Sequence, residues 1–287
     1  MTVVDAGQIG KAAVIGAGTM GAGIANVCAS AGIDVVIFDV ERIRVQAALD
    51  RIGTFLAKSV ERGKLSDEAV AEIKAHLHVA EDLADLAGVE VVFEAVSEDF
   101  EVKCRVIAEF GEAAPEDAII ASNTSANPIT ELATAVPAPE RFAGMHFFNP
   151  AQLMPLVEVV GALQTADHTL EVLEQLAVRL GKEPVRAKDR PGFLLNRLLM
   201  PYLNQAIQEY DDGLADAADL DLALELGLGY PVGPLRLLDM IGLDVHMHAT
   251  SAAWEQARDP HLVAPPLLRR MVAAGRLGDK SGAGFRR

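Results

Sequence analysis

The sequence of 287 residues has little cysteine and little positive charge. Its two cysteines, Cys28 and Cys104, cannot make a disulfide framework, and no set of Cys, His and acidic residues at ligand spacing predicts a metal site. Lysine and arginine number 25 against 41 aspartates and glutamates, which gives a net charge of −16. We therefore expect no bound metal, a reducing compartment, and neither nucleic acid nor an anionic membrane as a partner.

Charge is also absent from the run Ala12–Ile33, which is long enough to cross a bilayer. Five glycines interrupt this run, and glycine at that density indicates a turn between two elements rather than a spanning helix. Hydrophobic residues make up 51% of the chain and charged residues 23%, a balance typical of a folded globular protein. We expect a soluble, cytoplasmic protein of about two domains.

Two domains of different class are predicted. Up to residue 188, short apolar runs alternate with longer helical patterns, which is typical of a parallel sheet with crossover helices. The predicted strands are Lys11–Ile15, Asp34–Phe38, Glu90–Val96, Ala118–Ser122, Phe142–Phe147, Leu156–Val160 and Glu183–Ala187. From Asp189 onward every periodic segment is helical, at 193–210, 216–227, 235–258 and 265–275. The sequence therefore predicts an α/β domain over 1–188 and an all-α domain over 189–287.

The segment after the second strand departs from simple strand–helix alternation. A helix is expected from about Met20 to Ala31 between the first two strands, and a long helical stretch then covers 41–62. Ser66, followed by two acidic residues, is a typical N-cap and opens a further short helix. Because these two helices interrupt the alternation, we expect a specific ligand or partner to dock on them.

A glycine-rich turn follows the first predicted strand and opens the first helix. In Gly16–Gly21, the first glycine permits a tight turn, the second lets the backbone approach a diphosphate, and the third packs helix on strand. The helix N-terminus adds unpaired N–H groups and a partial positive charge. Asp39, at the end of the second strand, suits the ribose hydroxyls of NAD and repels the 2′-phosphate of NADP. These features predict a Rossmann-type domain that binds NAD.

Two ionisable residues stand in apolar strands further along the chain. His146 lies within Phe142–Phe147, and Glu158 lies within Leu156–Val160. Burying a carboxylate is costly unless it is paired, so we expect these two groups on adjoining strands to satisfy each other. An imidazole that is oriented by a carboxylate is typical of a general base. The polar cluster Ser122–Ser125 directly follows another apolar strand, where a ligand crevice is expected.

Seven blocks of sequence occur in order over nearly the whole chain: Gly16–Gly21, Glu94–Glu98, Ser122–Ser125, His146–Pro150, Pro191–Arg197, Gly229–Pro234 and Lys280–Phe285. In these blocks the chain resembles the L-3-hydroxyacyl-CoA dehydrogenase family, in its short bacterial 3-hydroxybutyryl-CoA dehydrogenase form. The resemblance implies a Rossmann-type doubly wound sheet with a helical-arm insertion, followed by an all-α domain. It also implies NAD-dependent oxidation of a short-chain (S)-3-hydroxyacyl-CoA, and the reverse reaction, within fatty acid metabolism.

The resemblance implies a role for each matching position. His146 would act as the general base, and Glu158 would orient it. Ser125 and Asn196 would hydrogen-bond the substrate oxygens. The residues expected to contact NAD, from the glycine motif, Asp39 and the resemblance together, are Gly16, Gly18, Thr19, Met20, Gly21, Asp39, Glu98, Lys103, Ser125, Asn149 and Lys280.

The helical pair over 41–75 matches the arm that carries the coenzyme A nucleotide in this family. Residues 1–189 hold 15 basic and 29 acidic side chains, so a nucleotide phosphate needs a local basic patch to dock there. The cations expected to supply it are Lys58, Arg62 and Lys64. The same three side chains also suit an ordinary solvated helix face, and that alternative stays open.

The helical third carries more apolar surface than one small domain needs. Segments 193–210 and 235–258 are apolar over more than one helical stripe. A domain of about 100 residues has few internal partners for such surface. We therefore expect a homodimer built through residues 189–287, which the resemblance also implies.

Two other hypotheses about the function remain open. The same hydride chemistry would serve an acyl-carrier-protein thioester or a free hydroxy acid in place of an acyl-CoA. Alternatively, the chain would be a non-catalytic NAD-binding or structural protein. The set of His146, Glu158 and Asn196 argues against this last class, because a protein that only binds has no need of a buried ionisable pair.

Overall fold

The computed structural model of the chain describes residues 5–286. The chain divides into two compact units between Asp189 and Arg190, close to the sequence-based boundary after residue 188. The first unit combines a sheet with helices, and the second is helical. No helix in the described part of the chain is both long and apolar enough to cross a membrane.

The first unit is built on one eight-stranded sheet in the order β3-β2-β1-β4-β5-β6-β7-β8. Strands β1 to β6 run parallel, β7 runs antiparallel to β6, and β8 runs parallel to β7. The strands are β1 Lys11–Ile15, β2 Asp34–Phe38, β3 Leu77–Val79, β4 Val91–Glu94, β5 Ile119–Ser122, β6 Phe142–Phe147, β7 Leu156–Gly161 and β8 Glu183–Lys188. This order and the flanking helices confirm the predicted Rossmann-type sheet.

Six α-helices accompany the sheet in the described part of the first unit: α1 Thr19–Ser30, α2 Arg42–Glu61, α3 Asp67–Ala75, α4 Phe100–Ala113, α5 Ile129–Leu132 and α6 Asp167–Arg179. Helices α2 and α3 are the predicted arm. The Ser66 hydroxyl caps α3 by accepting from the N–H of Ala69 at 3.2 Å. Strand β3 was not predicted, because its three residues carry a histidine and are defined mainly by pairing with β2.

The core of the first unit lies between the sheet and its helices. Strands β4 and β5 are buried along their whole length, as strands covered on both faces should be. Cys28 of α1 is fully buried, and this burial raises the pKa of its thiol to about 12. Cys104 on α4 is half-buried, and both cysteines are free. The buried thiol of Cys28 therefore acts as a small hydrophobic group.

The described part of the second unit contains five α-helices: α7 Leu195–Asp211, α8 Ala217–Leu228, α9 Pro234–Ile241, α10 Leu243–Ala257 and α11 Pro266–Ala273. The single helix expected over 235–258 is wrong. Gly242 adopts a φ of 98° and separates α9 from α10. A positive φ at glycine costs little, so the helical segment can break there.

Two buried aspartates hold the C-terminal block Lys280–Phe285 in place within this unit. The carboxylate of Asp239 accepts the N–H groups of Phe285 at 2.9 Å and Arg286 at 2.8 Å. Asp221 pairs with the guanidinium of Arg286 at 2.9 Å. Carboxylates that take several hydrogen bonds are satisfied inside a core, so these two fix the path of the tail.

Candidate active site

A cavity of about 600 Å³ opens at the carboxyl ends of β1, β2, β4 and β5. Ligands of open α/β sheets bind at this edge. Seven of the residues expected to contact NAD line it: Gly16, Gly18, Thr19, Met20, Asp39, Glu98 and Lys103. Three further expected contacts in this unit, Gly21, Ser125 and Asn149, do not line it.

The glycine turn beside this cavity fits a dinucleotide. Gly16 has a φ of 98°, and a Cβ there would lie 2.6 Å from the carbonyl oxygen of Ala95. A Cβ on Gly21 would clash with the carbonyl oxygen of Gly16, so helix and turn pack closely only with glycine. A Cβ on Gly18 would meet no described atom within 4 Å, which leaves the turn open for a diphosphate. The start of α1 has no side-chain cap among the described residues, so its N–H groups are available for the phosphates.

Asp39 is held at the end of β2 by two backbone groups. Its Oδ2 accepts the N–H of Ala17 at 2.8 Å, and its Oδ1 accepts the N–H of Glu41 at 3.1 Å. These bonds aim the carboxylate at the rim of the cavity, where Arg44 is paired with Glu41 at 2.7 Å. The position suits recognition of ribose hydroxyls.

A buried ion pair lies beneath the cavity. Lys103 of α4 donates to both carboxylate oxygens of Glu94, at 2.8 and 3.1 Å, and both side chains are almost fully buried. Ser122 donates to the same carboxylate at 2.5 Å. Buried charges persist when paired and hydrogen-bonded, so Glu94 holds the Lys103 ammonium at the cavity wall. Ser122 belongs to the polar cluster that the sequence placed at a ligand crevice. Sequence reasoning missed Glu94 as a site residue, although a glutamate within the apolar strand β4 was a signal of a buried partner.

Glu98 anchors the polar loop that follows β5. One carboxylate oxygen accepts the N–H of Ser125 at 2.8 Å and its hydroxyl at 3.0 Å, and the other accepts the hydroxyl of Thr124 at 2.8 Å. Burial alone raises the pKa of Glu98, but the nearby Lys103 charge and these hydrogen bonds outweigh it and hold the pKa below its usual value. Glu98 therefore stays ionised and fixes the backbone that carries Ser125.

His146 and Glu158 face each other across β6 and β7. They are paired residues in the antiparallel register, and His146 Nδ1 lies 2.8 Å from Glu158 Oε2. Both side chains are buried. Asn123 also holds β6, because its Oδ1 accepts the N–H of Phe147 at 2.9 Å. The pairing expected from the sequence is present, and the general-base role remains a prediction.

The remaining residues expected to contact cofactor or substrate are Asn149, Asn196 and Lys280. Asn149 is exposed and lies two residues after the end of β6. Asn196 lies in the first turn of α7 in the second unit. In the same unit the ammonium of Lys280 pairs with Asp244 at 2.6 Å. The cofactor and substrate roles of these three residues remain predictions.

The cations expected on the arm are all exposed. Lys58 stands in the last turn of α2, Arg62 is the C-cap residue directly after this helix, and Lys64 lies in the turn before α3. Among residues 5–286, no hydrogen bond or ion pair occupies these three side chains. They are therefore available to an anionic ligand, and contact with coenzyme A remains a prediction.

Comparison with known proteins identifies the family. The model of the 3-hydroxyacyl-CoA dehydrogenase NAD-binding domain matches residues 11–190, and that of the 3-hydroxyacyl-CoA dehydrogenase C-terminal domain matches residues 192–287. The chain belongs to the 3-hydroxyacyl-CoA dehydrogenase family. The first unit of this dehydrogenase is accordingly an NAD-binding domain, which agrees with the fit of its glycine turn and cavity.

Relatives in this family match over almost their full length. A probable 3-hydroxybutyryl-CoA dehydrogenase of Deinococcus radiodurans is 43% identical over 96% of this chain and 99% of its own. A 3-hydroxybutyryl-CoA dehydrogenase of Mycobacterium tuberculosis is also 43% identical, over 96% and 98%. The crystal structure of (S)-3-hydroxybutyryl-CoA dehydrogenase from Ralstonia eutropha has a TM-score of 0.94 at 38% identity, covering 97% of this chain and 98% of that one.

Proposed function

We propose that the chain catalyses the NAD-dependent oxidation of a short-chain (S)-3-hydroxyacyl-CoA to the 3-ketoacyl-CoA, and the reverse reaction. The observation that carries this proposal is the buried His146–Glu158 pair on the sheet whose carboxyl edge forms the NAD cavity. The short acyl chain is supported by relatives named 3-hydroxybutyryl-CoA dehydrogenase that match over nearly their whole length.

The His146–Glu158 pair handles the proton of the substrate hydroxyl. An ionised Glu158 accepts a hydrogen bond from Nδ1–H of the imidazole, so the neutral ring carries its basic lone pair on Nε2. In oxidation, Nε2 takes the proton of the 3-hydroxyl, and Glu158 stabilises the imidazolium that results. In reduction, the imidazolium returns that proton to the carbonyl oxygen. NAD, when bound, supplies the acceptor for the C3 hydride.

Ser125 is proposed to stabilise charge on the substrate oxygen. Its backbone and hydroxyl are both fixed by Glu98, so the hydroxyl is held in place before substrate arrives. The hydroxyl carries a single proton, which points to Glu98, so donation to the substrate oxygen requires the O–H to turn from Glu98 to that oxygen. Asn196, in the second unit, keeps the same role as a prediction from the resemblance.

The thioester handle is tested by comparing three substrates. NADH oxidation is measured with acetoacetyl-CoA, its pantetheine analogue and free acetoacetate. We expect kcat/KM to be at least ~10-fold higher for acetoacetyl-CoA than for the pantetheine analogue, because only the former carries the nucleotide phosphates. Equal values for the two thioesters favour a carrier-protein substrate, and preference for acetoacetate favours a free acid. No turnover of any of them supports a non-catalytic protein.

We further propose that the arm formed by α2 and α3 binds the coenzyme A nucleotide. Lys58, Arg62 and Lys64 are exposed cations on a unit of strong negative charge. A bisphosphate approaching this unit is repelled except where such a patch lies. The three side chains lie within one helix turn and the following loop, so they offer a compact contact.

We also propose a cytoplasmic location, which the two free cysteines support. We propose in addition that two copies of the chain form a homodimer through the second unit. Part of the apolar surface expected there lies inside the unit's own core, which contains Leu203, Leu235 and Leu238. Another part is exposed, including Leu198 of α7 at 66%, and α8, outside the expected segments, adds Leu226 at 77%. Apolar side chains at such exposure support a second copy of this chain as their cover.

A further inference from the structure

The turn that faces the cofactor diphosphate is held at its middle residue from both sides. Ala17 is fully buried between Gly16 and Gly18. Its N–H donates to Asp39 Oδ2 at 2.8 Å, and its carbonyl oxygen accepts from Arg51 Nη2 at 2.6 Å. The peptide groups on both sides of Ala17 are therefore fixed in direction by side chains from elsewhere in the unit.

Arg51 reaches this turn from the arm. It lies near the middle of α2, and the bond to Ala17 joins two positions 34 residues apart. The described residues form no ion pair with its guanidinium, whereas Arg42 and Arg44 on the same helix each pair with a glutamate. The Arg51 charge is thus not neutralised by a carboxylate of residues 5–286, and it lies at the turn beside the N-terminus of α1.

A glycine turn cannot hold itself rigid. Glycine residues have the widest conformational freedom, and a Cβ built at Gly18 would meet no described atom within 4 Å. The start of α1 also has no side-chain cap among the described residues. Because the Ala17 carbonyl is already fixed, the turn loses less conformational entropy when its N–H groups bind a diphosphate.

We propose that Arg51 is a positioning residue for NAD: it holds the glycine turn in its diphosphate-binding conformation and adds positive charge beside it. The donor geometry of a guanidinium suits a buried carbonyl, and the charge partly offsets the acidic surroundings that repel an anion. The arm thereby serves the cofactor as well as the proposed coenzyme A site.

The test measures NADH binding without turnover. The dissociation constant for NADH is determined by fluorescence titration in the absence of substrate, alongside the thermal midpoint, for wild type, Arg51→Met and Arg51→Lys. We expect Arg51→Met to raise the Kd about 10-fold and Arg51→Lys to raise it about 3-fold, because lysine keeps the charge but not the planar fork. Raising the salt concentration should narrow the difference between the Met and Lys variants, because salt screens the charge that lysine retains.

Arg105→Met is the matched control. Arg105 is exposed on α4 of the same unit and does not line the cavity, so its loss removes the same charge without touching the turn. If both Met variants weakened NADH binding equally, the effect would come from the loss of net charge alone, and the proposal would be overturned. A fall in thermal midpoint with an unchanged Kd would assign Arg51 to stability alone and overturn it as well.

Two further outcomes are distinguishable. If Arg51→Met does not fold, the comparison is made on Arg51→Lys, and an NADH Kd within about twofold of wild type then overturns the proposal. Failure of the wild-type chain to bind NADH contradicts the proposed function itself, whereas the Arg51 comparison leaves that function intact.

Discussion

At the scale of single residues, the site depends on ionisable side chains that are buried in pairs. His146 is bonded to Glu158, and Lys103 is bonded to Glu94. Each pair joins two different elements, so each also fixes the direction of a side chain at the carboxyl edge of the sheet. Removing one partner leaves the other charge or lone pair unsatisfied in a low-dielectric setting.

Glu158→Gln tests the first pair. The amide keeps the volume and one oxygen acceptor but loses the charge that stabilises the imidazolium. We expect kcat for oxidation of 3-hydroxybutyryl-CoA to fall at least ~100-fold, with the NADH dissociation constant nearly unchanged. Steady-state kinetics and NADH titration on the same preparation check both values. An unaltered kcat would show that Glu158 does not support the chemistry of His146.

At the scale of elements, helix α2 packs against the first unit on one face and exposes cations on another. Its inner face buries Val45, Ala48, Ile52 and Leu56 against the first unit. Its exposed C-terminal end carries Lys58, and Arg62 follows as the C-cap residue. Because packing and cations lie on different faces, charge reversal at the exposed end should leave the fold intact.

The double variant Lys58→Glu with Arg62→Glu tests the arm. It should raise KM for acetoacetyl-CoA at least ~10-fold while kcat and KM for NADH stay nearly constant, which is the pattern of lost uniform binding. The effect should shrink as salt rises, because exposed charges are screened over about 10 Å at 0.1 M ionic strength. An unchanged KM for acetoacetyl-CoA at low salt would place coenzyme A elsewhere or favour a substrate without it.

Helices α7 and α10 of the second unit are joined by a buried polar network. His246 Nε2 lies 2.9 Å from Asn204 Oδ1, and Asn204 donates to Thr250 at 2.9 Å. Thr250 donates in turn to the carbonyl of Leu262 at 2.8 Å. Burial lowers the pKa of His246 to about 4. The folded unit therefore holds a neutral imidazole that donates to Asn204.

This network predicts a loss of stability in mild acid. The unfolded chain binds a proton on His246 at a pKa near 6.5, whereas the folded chain does so only near pH 4. Neutral His246 therefore makes its full contribution to the free energy of unfolding above pH 6.5. This contribution is lost progressively as the pH falls towards 4, and the free energy of unfolding decreases by about 2 kcal/mol between pH 7 and 5. Denaturant titration at these two pH values should show a smaller loss for His246→Gln. An equal loss in both proteins would contradict this assignment.

At the scale of the whole molecule, the exposed apolar side chains of the second unit predict self-association. Leu222 and Leu226 lie four residues apart on one face of α8 and are both exposed. We expect light scattering at micromolar concentration to give twice the chain mass of 30.5 kDa. A monomer at that concentration would contradict the proposed homodimer.

Leu222→Glu with Leu226→Glu should shift the mass towards one chain, because the introduced charges would have to be buried in the interface. The matched control is Val178→Glu, which adds charge to an exposed apolar position of α6 in the first unit. It should leave the mass unchanged. A full dimer in the double variant would place the contact away from this face of α8.

The sequence by itself determined the elements with strong local patterns. Strands β1 and β2 were predicted to the residue, because short apolar runs end there at glycine or acidic residues. The glycine turn with Asp39 and the pairing of His146 with Glu158 were also predictable, since each follows from spacing and from the cost of burying charge. The family followed from the ordered blocks of sequence.

Only the tertiary structure decided the features that depend on distant partners. Strand β3 exists through its pairing with β2, and the break at Gly242 depends on how the helices beside it pack. The Glu94–Lys103 pair and the bond from Arg51 to Ala17 join positions whose separation carries no local periodicity. Local propensity and patterning act over one or two turns of chain, whereas these contacts depend on which elements the fold brings together in space.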